Sequence, residues 1–410
     1  MRVELFRPAL ALAMLVLVGC GHPTGVMNPV ELTDSPPKTT QVDMLVATTR
    51  QPSGDPATLF NGERSSKPYM TDVAVSIPPK REAGTVQWPK RLPANPATDF
   101  AVTRVRQIRT VPEGRAWFRQ HIEDGHALVF IHGFNNRYED SVFRLAQIVH
   151  DSGMKATPIL FTWPSRAELT GYEYDKESTN YSRTALEQSL RVLAQDSAVK
   201  DITILAHSMG TWLAMESLRQ MGIRDGHVDA KIQNVILASP DIDIQVFAKQ
   251  YVEMGNPKPK FTIFVSQDDW ALAASSFITG NVSRLGAIDP SKEPYRSRLE
   301  KAGITAIDLT KVNTGDSLHH GKFAESPQIV QLIGQRLMTG QTLTDSNVTL
   351  GQGVAAVVGG TARAVGTVAG AAVSAPLVIV EQPRGQRRKA AGTDLEDNFR
   401  SDQQSKPLTQ

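Results

Sequence analysis

Ser208 is the residue with the most to offer chemically. It stands in Ala206-His207-Ser208-Met209-Gly210, after the apolar run 202–206 and before a helical pattern led by Thr211, Trp212 and Leu213. A serine on a tight strand-to-helix turn presents its hydroxyl clear of both elements, the setting of a nucleophile elbow. The small residues at 206 and 210 suit such a turn, although a positive φ at Ala206 would be strained. The plainer use of Ser208 is to cap the helix that follows. A serine hydroxyl becomes a nucleophile only when a base takes its proton. His207 is a chain neighbour and poorly placed to turn onto Ser208, so it is expected to pack or hydrogen-bond beside the site. The base is expected from a later loop, where His320 is the first candidate and His319 the second. A carboxylate between serine and base would fix the imidazole tautomer and support its cation. Asp269, with Asp268 next, follows the apolar run 261–265, and Asp241 and Asp243 are a rival pair. Helix capping is the plain alternative for both pairs.

Acyl transfer also needs donors for the developing oxyanion. The run Val129-Phe130-Ile131-His132-Gly133-Phe134 leaves a buried strand for a turn. The backbone N–H groups of Phe134 and Met209 are the expected pair. Gly133 would permit close approach, and His132 reads as structural. Tyr172 and Tyr174, with Asp175, fall before a helix near 182 and are candidates for the substrate mouth; packing over the sheet edge is the alternative. The remaining histidines show no ligand spacing, and no glycine-rich phosphate loop follows any strand. Neither a metal nor another cofactor is therefore expected.

These residues need rigid elements to hold them. Short apolar runs at 127–131, 157–161, 202–206, 235–238, 261–265 and 304–309 read as strands buried on both faces. Between them, 139–151, 182–196, 209–221, a helix opening at Trp270 and 325–338 carry helical spacing. Earlier strands are expected at 42–48, 73–77 and 101–108, with 51–68 as a polar loop. This alternation predicts an α/β domain over 41–340, a mostly parallel central sheet flanked by helices.

The flanks differ in composition. Residues 1–19 have a weakly cationic start, an apolar run at 8–18 and a small residue before Cys20, which reads as a signal peptide. Leu17-Val18-Gly19-Cys20 resembles a bacterial lipobox, which implies lipid attachment at Cys20. Residues 20–40 then form a tether, and Gly21 after the cysteine suggests the outer membrane, facing the periplasm. The Gly/Ala/Val-rich segment 341–380 is expected to touch membrane, to self-associate, or to pack on the body or an envelope partner. Gly366 and Gly370 would share a face there if it were helical. Residues 381–410 read as a polar tail. A chain with 44 basic and 42 acidic residues gives no reason to expect nucleic acid. Its single cysteine excludes an intrachain disulfide.

Taken together, the stretches resemble the alpha/beta-hydrolase superfamily. More closely they resemble a bacterial esterase/lipase-like family first catalogued as a domain of unknown function. The resemblance runs through Val46-Ala47-Thr48-Thr49-Arg50, Phe130-Ile131-His132-Gly133-Phe134-Asn135, Phe161-Thr162-Trp163-Pro164-Ser165 and Gly171-Tyr172-Glu173-Tyr174-Asp175. It continues through the elbow, Ala238-Ser239-Pro240-Asp241-Ile242-Asp243, Asp269-Trp270-Ala271-Leu272 and His320-Gly321-Lys322-Phe323. It implies Ser208 as nucleophile, Asp269 as acid and His320 as base. Lys322 stands where that family usually carries an aromatic residue. The expected activity is hydrolysis of an acyl ester through an acyl-enzyme. A thioesterase or peptidase, or a noncatalytic envelope scaffold with the same fold, is the alternative.

Overall fold

A computed structural model describes residues 23–32, 38–122 and 124–334, and the backbone of two short strands beyond them. The strands are β1 (Thr40–Pro52), β2 (Phe60–Ile77), β3 (Ala101–Ile108), β4 (His126–Ile131), β5 (Thr157–Thr162), β6 (Asp201–His207), β7 (Ile232–Ala238), β8 (Lys260–Val265), β9 (Thr305–Asp308), β10 (Ala355–Val358) and β11 (Thr361–Ala364). The helices are α1 (Val111–His121), α2 (Tyr138–Ser152), α3 (Tyr172–Ala194), α4 (Gly210–Asp225), α5 (Ile244–Glu253), α6 (Trp270–Ile278), α7 (Tyr295–Ala302), α8 (Lys322–Glu325) and α9 (Pro327–Leu332). Cys20, the 1–19 segment, Gly366, Gly370 and the 381–410 tail lie outside the described residues. No helix among the described residues is long and apolar enough to cross a membrane.

The strands form one sheet in the order β11-β10-β9-β8-β7-β6-β4-β5-β1-β2-β3. From β9 across to β1 every neighbouring pair is parallel. β2 and β3 add an antiparallel edge. This is the α/β-hydrolase fold expected. The apolar runs follow from double-sided burial. Val129 and Ile131 of β4 face the core under α1, α3, α4 and α5, while Leu128 and Phe130 face the core under α2. Each such side chain contributes roughly 1.5–3 kcal/mol on leaving water.

Adjacent strands β4 and β6 send their helices to opposite faces. α2 packs in one core through Val142 and Leu145, and α4 in the other through Leu213 and Leu218. Loops that part in this way open a crevice at the carboxyl ends of the strands.

The structure also corrects several expectations. β2 begins at Phe60, so most of the predicted 51–68 loop is strand. Its first half pairs with β1 through two register shifts, as a polar ribbon without core alternation. α3 begins at Tyr172, ten residues before the expected helix. The 20–40 segment is not all tether, because Val26 and Met27 are buried and Val30 N–H bonds Val102 O at 2.8 Å. The body also reaches past 340. β10 pairs antiparallel with β9 and β11 with β10. Gly359-Gly360 between two short runs of Ala, Val and Thr is the sequence signal of a hairpin.

Candidate active site

Ser208 sits at the end of β6 with φ 52°. The elbow strain therefore falls on the serine, and Ala206 remains in the strand. A positive φ at a residue with a Cβ costs on the order of 1–3 kcal/mol, and the surroundings hold it. Ser208 N–H bonds Ala238 O at 2.9 Å, and Ser208 O accepts from Thr211 N and Thr211 Oγ1 at 3.0 and 2.6 Å. Asn135, Ser239 and His319 also have positive φ, so backbone strain gathers on the loops around this crevice. No side chain caps α4, so the Ser208 hydroxyl is not spent on its helix. Gly210 is required by proximity: a Cβ there would lie 2.2 Å from His132 O.

Asp269 and His320 come together. His320 Nδ1 lies 2.7 Å from Asp269 Oδ2, and the two side chains are 16% and 0% exposed. The other carboxylate oxygen, Oδ1, accepts from Leu272 N–H at 3.0 Å, so Asp269 also caps α6. The two readings of this residue coexist. Burial alone would lower the imidazole pKa, but the charge and hydrogen bond of Asp269 prevail and hold it above the ordinary histidine value.

The base loop is fixed beside the elbow from several sides. His320 O accepts from His207 Nε2 and Ser239 Oγ, both at 3.3 Å. Asp316 accepts from the backbone N–H groups of His320 and Gly321 at 2.6 and 2.7 Å. The His207 ring packs between those of His320 and Phe323, each at 4.7 Å. Burial and the neighbouring His320 push His207 well below the usual histidine range, so it is a neutral positioning group. Among the described residues no hydrogen bond joins Ser208 Oγ to His320.

His319 and Asp268 form a second pair, with Nδ1 and Oδ2 2.8 Å apart and side chains 39% and 34% exposed. Asp268 is also bound by Lys322 Nζ at 2.7 and 2.9 Å. Lys322, with its side chain 2% exposed, further donates to Ser266 Oγ, Leu309 O and Thr310 O at 3.0, 3.1 and 3.2 Å. It thereby ties the loops after β8 and β9 to the start of α8. The ammonium replaces the expected aromatic with a polar brace.

The rival carboxylates have other partners. Asp243 caps α5 through the N–H groups of Gln245 and Val246. Asp241 accepts from Tyr172 Oη at 3.0 Å and Ser275 Oγ at 2.5 Å, with Arg284 Nε 3.3 Å away. Tyr172 is therefore buried, its ring edge against Phe134 at 5.4 Å. Tyr174 points elsewhere: its hydroxyl reaches Gly62 O at 3.2 Å and its ring lies under Arg166 and Arg64. The two tyrosines point apart, because residues two apart on a helix face different sides.

The oxyanion loop lies directly against the elbow. A Cβ on Gly133 would fall 2.8 Å from Ser208 Cβ. Neither Phe134 N–H nor Met209 N–H is engaged by another described residue. His132 is fully buried and stacked on Trp163 at 4.8 Å. Its Nδ1 faces Gly133 O at 2.8 Å, and its Nε2 accepts from Trp163 N–H at 3.1 Å. Burial, with Arg50 alongside, pushes His132 down to about 3. Arg50 is a residue the sequence reading left without a role. Fully buried, it donates to Thr162 Oγ1, Ser165 O and Asn136 O at 2.9, 3.0 and 2.7 Å. It fastens the loops after β4 and β5 to β1. Burial lowers its pKa to about 10.

The outer rim is apolar. α6 exposes Trp270, Phe277 and Ile278 at 63%, 76% and 54%, and Leu318 in the base loop is also exposed. Trp270 N–H bonds Leu318 O at 3.0 Å. No group of three or more histidine, cysteine, aspartate or glutamate side chains is placed to hold a metal among the described residues.

A family described as "Alpha/beta hydrolase of unknown function (DUF900)" matches residues 112–336, just over half of the 410-residue chain. No curated protein matches the chain. Among solved structures, the siderophore hydrolase EstB from Aspergillus nidulans aligns over 77% of this chain and 87% of its own at 11% identity. Its TM-score of 0.25 is too low to speak to fold or chemistry.

Proposed function

Because the chain belongs to this family of alpha/beta hydrolases of unknown function, we propose that it is a serine hydrolase that cleaves acyl esters. The observation that carries the reading is the buried Asp269–His320 hydrogen bond beside the strained elbow of Ser208. In this mechanism His320 Nε2 accepts the Ser208 proton as Oγ attacks the acyl carbonyl. Asp269 holds the other ring nitrogen protonated and supports the imidazolium. The Phe134 and Met209 N–H groups receive the oxyanion. His320 then returns the proton to the departing alcohol, and water completes the cycle by attacking the acyl-enzyme. The apolar rim of Trp270, Phe277 and Leu318 favours an ester with a hydrocarbon acyl group. Thioester and amide hydrolysis would use the same steps.

The test is labelling of the folded full chain with a fluorophosphonate, alongside hydrolysis of short p-nitrophenyl esters. Labelling at Ser208, lost in Ser208→Ala and His320→Ala, is expected. The missing Ser208–His320 hydrogen bond is the one feature that favours a noncatalytic scaffold. Such contacts often tighten only when substrate binds. A well-folded chain whose Ser208 stays inert to the probe would decide for the scaffold.

The lipobox-like sequence at Cys20 carries the second part of the proposal, a lipid anchor in the outer membrane with the body facing the periplasm. Incorporation of labelled palmitate that disappears in Cys20→Ala is expected. Soluble, unlabelled protein would remove that part and leave the chemistry standing.

A further inference from the structure

A cavity of about 260 Å³ lies away from the crevice, beneath α1 and α3. Its floor is the middle of the sheet: Leu45 of β1, Val129 of β4 and Ile159 of β5. Phe118, Ala185 and Leu190 form the walls. None of the proposed catalytic or oxyanion residues lines it. A dry cavity of about 150 Å³ suffices for benzene, and drug-sized molecules need roughly 300 Å³ or more. The space suits a single hydrocarbon chain and is too small for the body of a two-chain lipid.

Two details say what such a chain should carry at its end. Arg109 and Arg115 line the cavity with only one carboxylate, Asp196. Asp196 is engaged by Arg119 Nε at 3.1 and 3.2 Å and also feels the charge of Arg115, so two guanidinium groups share one carboxylate. Arg115 Nε is buried and has no hydrogen-bond partner. An unsatisfied guanidinium nitrogen beside an apolar chamber is a receptor for an anionic head group. The walls also make room. Gly114 sits inside α1, where glycine costs about 1 kcal/mol relative to alanine. The nearest atoms to a Cβ there would be those of the Met70 side chain, Sδ at 3.4 Å, and Ile108 at 3.8 Å, ordinary contact distances. Met70 is a flexible thioether at this wall, able to adapt to an occupant.

From this geometry we infer that the cavity is a binding site for a single-chain carboxylate amphiphile, such as a fatty acid. The chain lies on β1, β4 and β5 and the carboxylate meets Arg115 and Arg109. The site is separate from the proposed acyl-transfer centre and does not depend on it.

The test is calorimetric titration of the full chain with octanoate, decanoate and dodecanoate, with dodecanol as the neutral control. Affinity should rise about fourfold per added methylene until the cavity is full. Gly114→Leu and Ala185→Phe should each weaken dodecanoate binding about tenfold or more. Arg115→Gln should weaken dodecanoate severalfold and leave dodecanol unchanged. Because filled variants can misfold, the ¹³C-methyl resonance of Met70 in the unaltered protein provides a second readout, and it should shift on titration. Absence of binding, binding indifferent to both cavity-filling changes, equal affinity for dodecanol, or an unmoved Met70 signal would each overturn the inference.

Discussion

Asp269 and His320 make one carboxylate–imidazole pair; Asp268 and His319 make another, one residue earlier on both loops. The chemistry of the side chains is the same and the nitrogen–oxygen distances are 2.7 and 2.8 Å. The bonding differs first: His320 Nδ1 and Asp269 share a hydrogen bond, whereas His319 Nδ1 has no hydrogen-bond partner in spite of its nearness to Asp268. What else touches the two pairs differs as well. The later pair is buried, and the His320 carbonyl is held by His207 and Ser239 at the ends of β6 and β7. The earlier pair is open to water, and its carboxylate serves Lys322. Against the upward push of burial, hydrogen bonds from Lys322 and Ser266 hold Asp268 below the usual carboxylate range. An Asp–His contact is therefore not itself a catalytic device. The neighbouring elbow and the exclusion of water make one of the two pairs a candidate.

The comparison breaks most sharply at the nucleophile and base. Ser208→Ala and His320→Ala should each lower kcat for a p-nitrophenyl ester by on the order of 10⁴–10⁶. Next comes Asp269→Asn, expected to cost about 10⁴ in kcat. It should also move the pH profile. A base must be neutral to accept a proton, and the His320 pKa is raised, so activity should climb with pH through a midpoint above about 6.5. Removing the Asp269 charge should move that midpoint down. The sign for stability is the reverse. The raised pKa contributes stability that is complete below about 6.5 and lost as pH rises through the folded value.

A smaller effect should sharpen what the outer pair is for. Lys322→Met removes the donor to Asp268, Ser266 Oγ and Thr310 O, while Leu309 O keeps Val312 N–H. Urea unfolding should show a loss of about 2 kcal/mol, with kcat reduced through a loosened base loop. Smallest of all, His319→Ala should change kcat by less than about threefold and stability by no more than about 0.5 kcal/mol, the ordinary range for a surface site. A loss at His319 comparable to that at His320 would show that the pairs have been assigned the wrong way round.

The parallel half of the sheet was legible because each strand is buried on both faces and so appears as an apolar run. The antiparallel edge was harder. β2 opens with Phe60-Asn61-Gly62-Glu63-Arg64, a ribbon with polar residues on both sides, and no alternation marks it. α1 did carry a signal that the reading passed over. Thr110 accepts from Glu113 N–H, Glu113 accepts from Arg109 N–H, and Pro112 lies in the first turn. The early start of α3 was hidden because its first turns bury Asp175, Ser178 and Thr179, polar residues that give no hydrophobic period. In the candidate site, loop order was enough to expect Asp269 and His320 to meet, and they do. The roles of Arg50, Lys322 and Asp316 were not legible. Arg50 and Lys322 matter through burial and through carbonyls distant in sequence, which no local pattern encodes; Asp316 acts locally, on N–H groups two to five residues on, within a loop that carries no regular period.

The two oxygens of Asp269 have different duties, and a swap to asparagine divides them. The amide oxygen can still receive the Leu272 N–H, so α6 keeps its start. The amide NH₂ then faces His320 Nδ1, which must become the acceptor, and the ring proton moves to Nε2. The imidazole would be locked in the tautomer that can only donate toward Ser208. Imidazole ¹⁵N spectra of such a protein would read that inversion directly, in a molecule whose melting temperature had scarcely moved.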